Sequence, residues 1–105
     1  MKIPRSIRVY GHKWDIKYKW NLRDDNGEAV DGMCDNKERA IYIDRSSDKE
    51  ERLGIFFHEL FHVIIHELKV GQTELNPEVE EIIVEGISDY LVRNFNIRRK
   101  NGGKR

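Results

Sequence analysis

The chain has 105 residues, a length typical of one domain, and its 19 Lys and Arg are balanced by 19 Asp and Glu. The formal net charge of zero gives no overall charge argument for nucleic-acid binding, and one cysteine excludes an internal disulfide framework. No window approaches the roughly 18 apolar residues of a membrane span, and the N-terminus MKIPRSIRVY lacks the apolar stretch of a signal peptide. We therefore expect a cytoplasmic protein that does not associate with membranes.

Strands are predicted in the N-terminal part of the chain. SIRVY alternates apolar and polar residues, and KWDIKYKWNL places Trp14, Ile16, Tyr18 and Trp20 at a period of two. We expect these aromatic residues to belong to the core of a sheet. AVDGMCD and ERAIYID then predict two short strands around a tight turn. Because the connections are too short for crossover helices, we expect an antiparallel sheet of three to four strands within residues 5–45.

A helical period follows the predicted strands. Ser47 with Glu50 fits a capping box, in which the Ser accepts an orphan N–H and the Glu reaches back to the cap. This signal predicts a helix over about residues 48–69. Apolar residues cover most of the circumference of this helix, so we expect it to be substantially buried.

A second helix is predicted over about residues 77–94, where Asn76 supplies the cap and Pro77 the first helical position. The expected fold class is therefore α+β, with the N-terminal antiparallel sheet packed on two C-terminal helices. We expect residues 1–97 to form one domain, and residues 98–105 to form a basic, flexible tail.

The first predicted helix contains FFHELFHVIIHEL, in which three histidines recur at every fourth position. His58 and His62 are one turn apart, about 5–6 Å between Cβ atoms, which lets both bind one zinc ion. His66 is too far from His58 for the same ion, and is either a rim residue or a donor to a ligand. Glu59 completes H-E-x-x-H, in which the Glu takes a proton from the attacking water and gives it to the leaving amine. The competing interpretation is a core helix with satisfied histidines.

A third zinc ligand is expected, because a catalytic zinc usually has three from the protein. The second predicted helix, PEVEEIIVEGISDYL, has one broad apolar arc and several carboxylates on its other side. Glu80 intrudes on the apolar arc. Position alone does not choose between Glu80, Glu81 and Glu85.

HELFH followed by EGISDYL resembles the two-part signature of the gluzincin metallopeptidases, the thermolysin-like group, over roughly residues 48–95. Glu85, Ser88 and Asp89 match the E-x-x-S-D element of that signature. The resemblance implies a minimal zincin-like fold in which Glu85 ligates zinc and Asp89 hydrogen-bonds a ligating histidine and fixes its ring. With its small size and GMCDNKERAIYID hairpin, the chain also looks like phage or mobile-element metallopeptidases, of which ImmA/IrrE-type and minimal gluzincin domains are the nearest groups.

The resemblance implies a zinc-dependent metallopeptidase that binds one Zn²⁺ per chain and cleaves a peptide or protein substrate. The substrate would add as a strand along the sheet edge at RAIYID. The residue that stabilises the oxyanion stays open among Tyr42, His66, Tyr90 and Arg93. The alternative is a zinc-binding regulatory protein that acts by protein–protein interaction with little or no catalysis.

Two further features have plain interpretations. The basic tail and the lysines of the second predicted strand suggest the hypothesis of nucleic-acid binding. A solvated tail and a polar strand face explain these residues more simply. Cys34 is most simply a small hydrophobic residue, and less simply a thiol that blocks the zinc water.

Overall fold

Four strands precede two helices in the computed structural model, which describes residues 2–68 and 76–97. The elements are β1 (Ser6–Val9), β2 (His12–Lys19), β3 (Gly32–Asp35), β4 (Ala40–Asp44), α1 (Lys49–Leu68) and α2 (Pro77–Leu91), and a π-helical turn (Val92–Ile97) follows. The predicted α+β class is confirmed. The expected last residue of the first helix, Lys69, and the tail 98–105 lie outside the described residues. Neither described helix is long and apolar enough to cross a bilayer.

The sheet is mixed, with the strand order β1-β2-β4-β3. Strand β4 is antiparallel to β3 but parallel to β2, so the prediction of an antiparallel sheet is wrong in this pair. The chain between β2 and β4 needs no helix to cross over, because it forms the far edge strand β3 and returns to the sheet centre through a hairpin. Strand β4 is therefore central, and β3 is an edge strand.

The core lies between α1 and one face of the sheet. Ile16 and Ile41 are register partners on β2 and β4, and they pack with Trp14, Phe56 and Val63 in one buried cluster. Side chains alternate between faces along a strand, so the next residues of β4 point to the opposite face, where a smaller cluster forms. That second cluster consists of Leu22, Ala40 and Tyr42.

Trp20 does not belong to either cluster. Its side chain is 67% exposed, so its predicted place in the sheet core is wrong. Strand β2 ends at Lys19, and the positive φ of Asn21, 52°, marks a turn directly after Trp20. The period-two pattern therefore extends one residue past the strand.

The caps of both helices are made by side chains. In α1, the Asp48 carboxylate accepts from the Glu51 N–H at 3.1 Å, and the Glu51 carboxylate accepts from the Asp48 N–H at 3.2 Å. The capping box is thus one residue later than predicted, because the Ser47 hydroxyl donates instead to the Asp44 carbonyl at 2.6 Å. In α2, the predicted cap is confirmed, since the Asn76 side chain accepts from the N–H of Glu78.

Gly32 marks a close approach of the edge strand β3 to α1. A Cβ at Gly32 would lie 2.5 Å from Ile55 Cγ2 and 3.1 Å from Glu59 Cγ. We expect Gly32→Ala to lower the free energy of unfolding by about 1–3 kcal/mol, because these atoms must move to make room. Urea unfolding followed by circular dichroism measures this change.

Gly54→Ala is the matched control within α1. Its Cβ would make an ordinary 3.4 Å contact with Val92 Cγ2, and alanine is favoured over glycine in a helix by about 1 kcal/mol. The two glycine substitutions should therefore change stability in opposite directions. Equal stability of Gly32→Ala and the unsubstituted protein would contradict the described packing of β3 on α1.

Candidate metal centre

Two histidines of α1 face one carboxylate of α2. His58 Nε2 lies 2.7 Å from Glu81 Oε1, and His62 Nε2 lies 3.2 Å from Glu81 Oε2. The three candidate ligand atoms all lie within 4.8 Å of one another. This group could hold a metal ion, and two imidazoles with one carboxylate are a donor set that zinc enzymes use.

A second carboxylate binds the other side of His62. His62 Nδ1 lies 2.7 Å from Glu80 Oε2, and the Glu80 side chain is only 15% exposed. Both ring nitrogens of His62 thus face carboxylates, whereas a neutral imidazole carries one N–H. If His62 carries its N–H on Nδ1, that N–H donates to Glu80 and leaves the Nε2 lone pair facing Glu81, so Glu80 is placed to orient His62 as a metal ligand.

The rotation of α2 about its axis is what directs Glu81 towards α1. The buried residues of α2 are Val84 and Ser88, 0% and 5% exposed. Residues at positions i, i+3 and i+7 share one face of a helix, so Glu81 lies on the face that Val84 and Ser88 bury. The Ser88 hydroxyl donates to the Val84 carbonyl at 2.7 Å, which satisfies this buried polar group.

Glu59 lies between α1 and the edge strand β3, and it is a buried carboxylate with 9% exposure. The thiol of Cys34 donates to Glu59 Oε1 at 3.2 Å. Burial raises the pKa of Glu59, and the hydrogen bond from Cys34 and the charges of His58 and His62 oppose that rise. Burial and the neighbouring Glu59 also raise the pKa of the Cys34 thiol, so Cys34 is a neutral donor.

The residues that match the E-x-x-S-D element line a cavity next to the His58, His62 and Glu81 group. Glu85 and Asp89 line it together with His58 and Ser88, but Glu85 is outside the group whose ligand atoms come together. Ligation by Glu85 therefore stays a prediction, and Glu81 is the carboxylate that the structure brings to both histidines. Asp89 binds Arg93 at 2.9 Å. The resemblance implies that Asp89 hydrogen-bonds a ligating histidine, but in the structure Glu80 is the carboxylate that contacts His62 Nδ1.

The four candidates for oxyanion stabilisation lie in three different parts of the structure. His66 lines the cleft that also contains His62 and Glu80. Tyr42 lies on the far face of the sheet, where its hydroxyl donates to Glu38 and this bond raises the pKa of Tyr42 to about 12. Tyr90 is 62% exposed on α2, and Arg93 is paired with Asp89. Of the four, the structure brings only His66 to the cleft.

Comparisons with protein-family models, with curated proteins and with solved structures give no match for this chain. The fold and the site define it as an α+β protein whose two helices bring a His58, His62 and Glu81 group within reach of a metal ion. A proposal of function therefore depends on the chemistry of this group and of Glu59 beside it.

Proposed function

We propose that this protein is a zinc-dependent metallopeptidase in which Glu59 is the general base and acid. The observation that carries the proposal is a buried carboxylate in the same cleft as a His₂Glu group. His58, His62 and Glu81 would hold the ion, and zinc would supply Lewis-acid activation of water and of the scissile carbonyl.

The environment of Glu59 suits proton transfer. General bases work best when the pKa is near the operating pH, and burial moves the pKa of this carboxyl upward from its ordinary value. The Cys34 thiol contacts Oε1 and fixes the carboxylate against β3, which leaves Oε2 to accept a proton. Glu59 would take this proton from the attacking water and donate it to the leaving amine.

Strand β3 offers an edge for an extended substrate. It pairs with β4 on one side, at the end of the described sheet. A cleft of about 440 Å³ is bounded by Gly32, Met33 and Cys34 of β3 and by the histidines and glutamates of the site. We therefore place an added peptide strand along β3, not along RAIYID, because that segment forms the central strand β4.

A zinc-binding regulatory protein without catalysis is the second candidate. The observation that favours it is the placement of Tyr42, Tyr90 and Arg93, none of which lies with His58 and His62 in the cleft. Both candidates hold zinc, so metal content does not separate them. Hydrolysis of an unstructured protein does.

Metal removal tests the enzymatic proposal. We expect the zinc-loaded protein to cleave an unstructured protein such as reduced casein, to lose this activity with a chelator, and to regain it when one equivalent of zinc is added. Gel electrophoresis and mass spectrometry of the products measure the cleavage. Absence of cleavage by a fully loaded protein would favour the regulatory candidate, and cleavage that survives complete removal of metal would contradict a metallopeptidase.

A further inference from the structure

The outer face of α2 exposes a row of large apolar side chains. We call it the apolar stripe, and its members are 40–71% exposed: Val79, Ile82, Ile83, Ile87 and Tyr90. They recur at the three- and four-residue spacing of one helix face, opposite the face that buries Val84 and Ser88. The stripe is therefore separate from Glu81 and the metal centre, and no described element covers it.

Gly86 lies on the midline of the apolar stripe and leaves a notch in it. A Cβ at Gly86 would have no heavy atom within 4 Å. A glycine inside an exposed helix lowers helix stability relative to alanine, and Gly86 also borders the cavity that Glu85 and Asp89 line. A side chain from outside the described fold could enter the notch.

We propose that a second copy of this chain covers the apolar stripe by packing its own α2 antiparallel on it, around a two-fold axis. A two-fold interface requires that each surface complement itself. With the axis midway between residues 84 and 85, Val79 lies level with Tyr90 of the partner subunit, and Ile83 lies level with Gly86 of the partner subunit. Each pair sets a large side chain against a smaller one. Ile82 and Ile87, on opposite margins of the stripe, cover the two sides of the contact.

One ion pair across the subunits is compatible with the same arrangement. Arg93 follows α2 in the π-helical turn and is 71% exposed, and its guanidinium binds Asp89 at 2.9 Å, on the margin of α2 that also carries Glu78. In the antiparallel pair it is offset from Glu78 of the partner subunit by two residues, about 3 Å along the axis. One guanidinium can therefore bind a carboxylate from each subunit.

The size and charge of α2 favour a second copy over a lipid surface. The exposed parts of the five apolar side chains amount to roughly 500 Å² per subunit, so the dimer would bury about 1,000 Å², the lower bound of a specific interface. Helices that bind anionic membranes carry Lys and Arg on the polar face. The segment Pro77–Leu91 has five acidic residues and no basic one.

The test is the mass of the full chain in solution. Sedimentation equilibrium at micromolar concentrations should give twice the 12.5 kDa of one chain. Ile82→Glu should give the monomer mass, because it places a carboxylate in the contact. Trp20→Glu is the matched control, since Trp20 is similarly exposed, 67% against 71%, but lies outside α2. The control should remain a dimer, and circular dichroism should show that both variants are folded.

Gly86→Leu supplies a second, independent variant. It should raise the melting temperature of the isolated subunit, because leucine favours a helix and has free space there, and yet abolish the dimer by filling the notch. A monomeric unsubstituted protein, or a dimer that survives both Ile82→Glu and Gly86→Leu, would overturn the proposal. A monomer that binds lipid vesicles or another protein through the stripe would overturn it equally.

Discussion

Glu81→Ala is expected to empty the metal centre, whereas Glu85→Ala leaves it occupied. Glu81 contacts the Nε2 atoms of both His58 and His62, at 2.7 and 3.2 Å, and Glu85 is not part of that group. Loss of a contact around a ligand typically lowers metal affinity roughly 10–100-fold, and loss of the ligand itself should lower it further. Competition with a chromophoric chelator measures the affinity, and mass spectrometry of the dialysed protein measures zinc per chain.

Glu80→Ala and Glu85→Ala are the matched controls on the same helix. Glu80 contacts His62 at Nδ1, the ring nitrogen away from Glu81, so its loss should weaken affinity roughly 10–100-fold while the site still fills in excess zinc. Glu85→Ala should retain the affinity of the unsubstituted protein. If Glu85→Ala had an empty site and Glu81→Ala a full one, Glu85 would be the third ligand, as the resemblance to the E-x-x-S-D element implies. That result would contradict the described rotation of α2.

Glu59→Gln is expected to abolish hydrolysis without loss of zinc. Glutamine keeps the shape of the side chain and an oxygen that accepts from Cys34, but it cannot take up a proton from water. General acid–base catalysis contributes about 10²–10⁴-fold to the rate, so kcat should fall by at least that factor. Peptide hydrolysis and zinc content are measured on the same preparation.

The controls for Glu59→Gln separate chemistry from structure. Cys34→Ser keeps a hydrogen-bond donor near Glu59 and should retain activity. If Glu59→Gln loses zinc or unfolds, Glu59 has a structural role and the proposed chemistry is wrong. If it keeps full activity along with its zinc, another group is the base.

The elements of the fold follow from local patterns, but the arrangement of the sheet does not. The period of two in KWDIKYKW and the cap at Asn76 predict a strand and a helix where the structure has them. Strand patterns carry no information on order, and the parallel pairing of β4 with β2 depends on burying Ile41 and Ile43 at the centre under α1. That choice is made by tertiary packing.

For the metal centre too, the sequence predicts one part and tertiary packing decides the rest. The four-residue spacing of His58 and His62 places them together on any regular helix. The third carboxylate depends on how α2 is rotated, and α2 exposes much of its apolar arc instead of burying it whole. The contact between Cys34 and Glu59 joins residues on two separate elements, and no local signal in the sequence predicts it.

Zinc K-edge X-ray absorption of the protein loaded with one equivalent of zinc tests the metal centre most directly. Ligation by His58, His62 and Glu81 predicts nitrogen and oxygen scatterers at about 2.0–2.2 Å and the outer-shell pattern of two imidazoles. A sulfur scatterer at about 2.3 Å would instead identify Cys34 as a ligand. That result, or a spectrum without imidazole, would contradict the assigned centre.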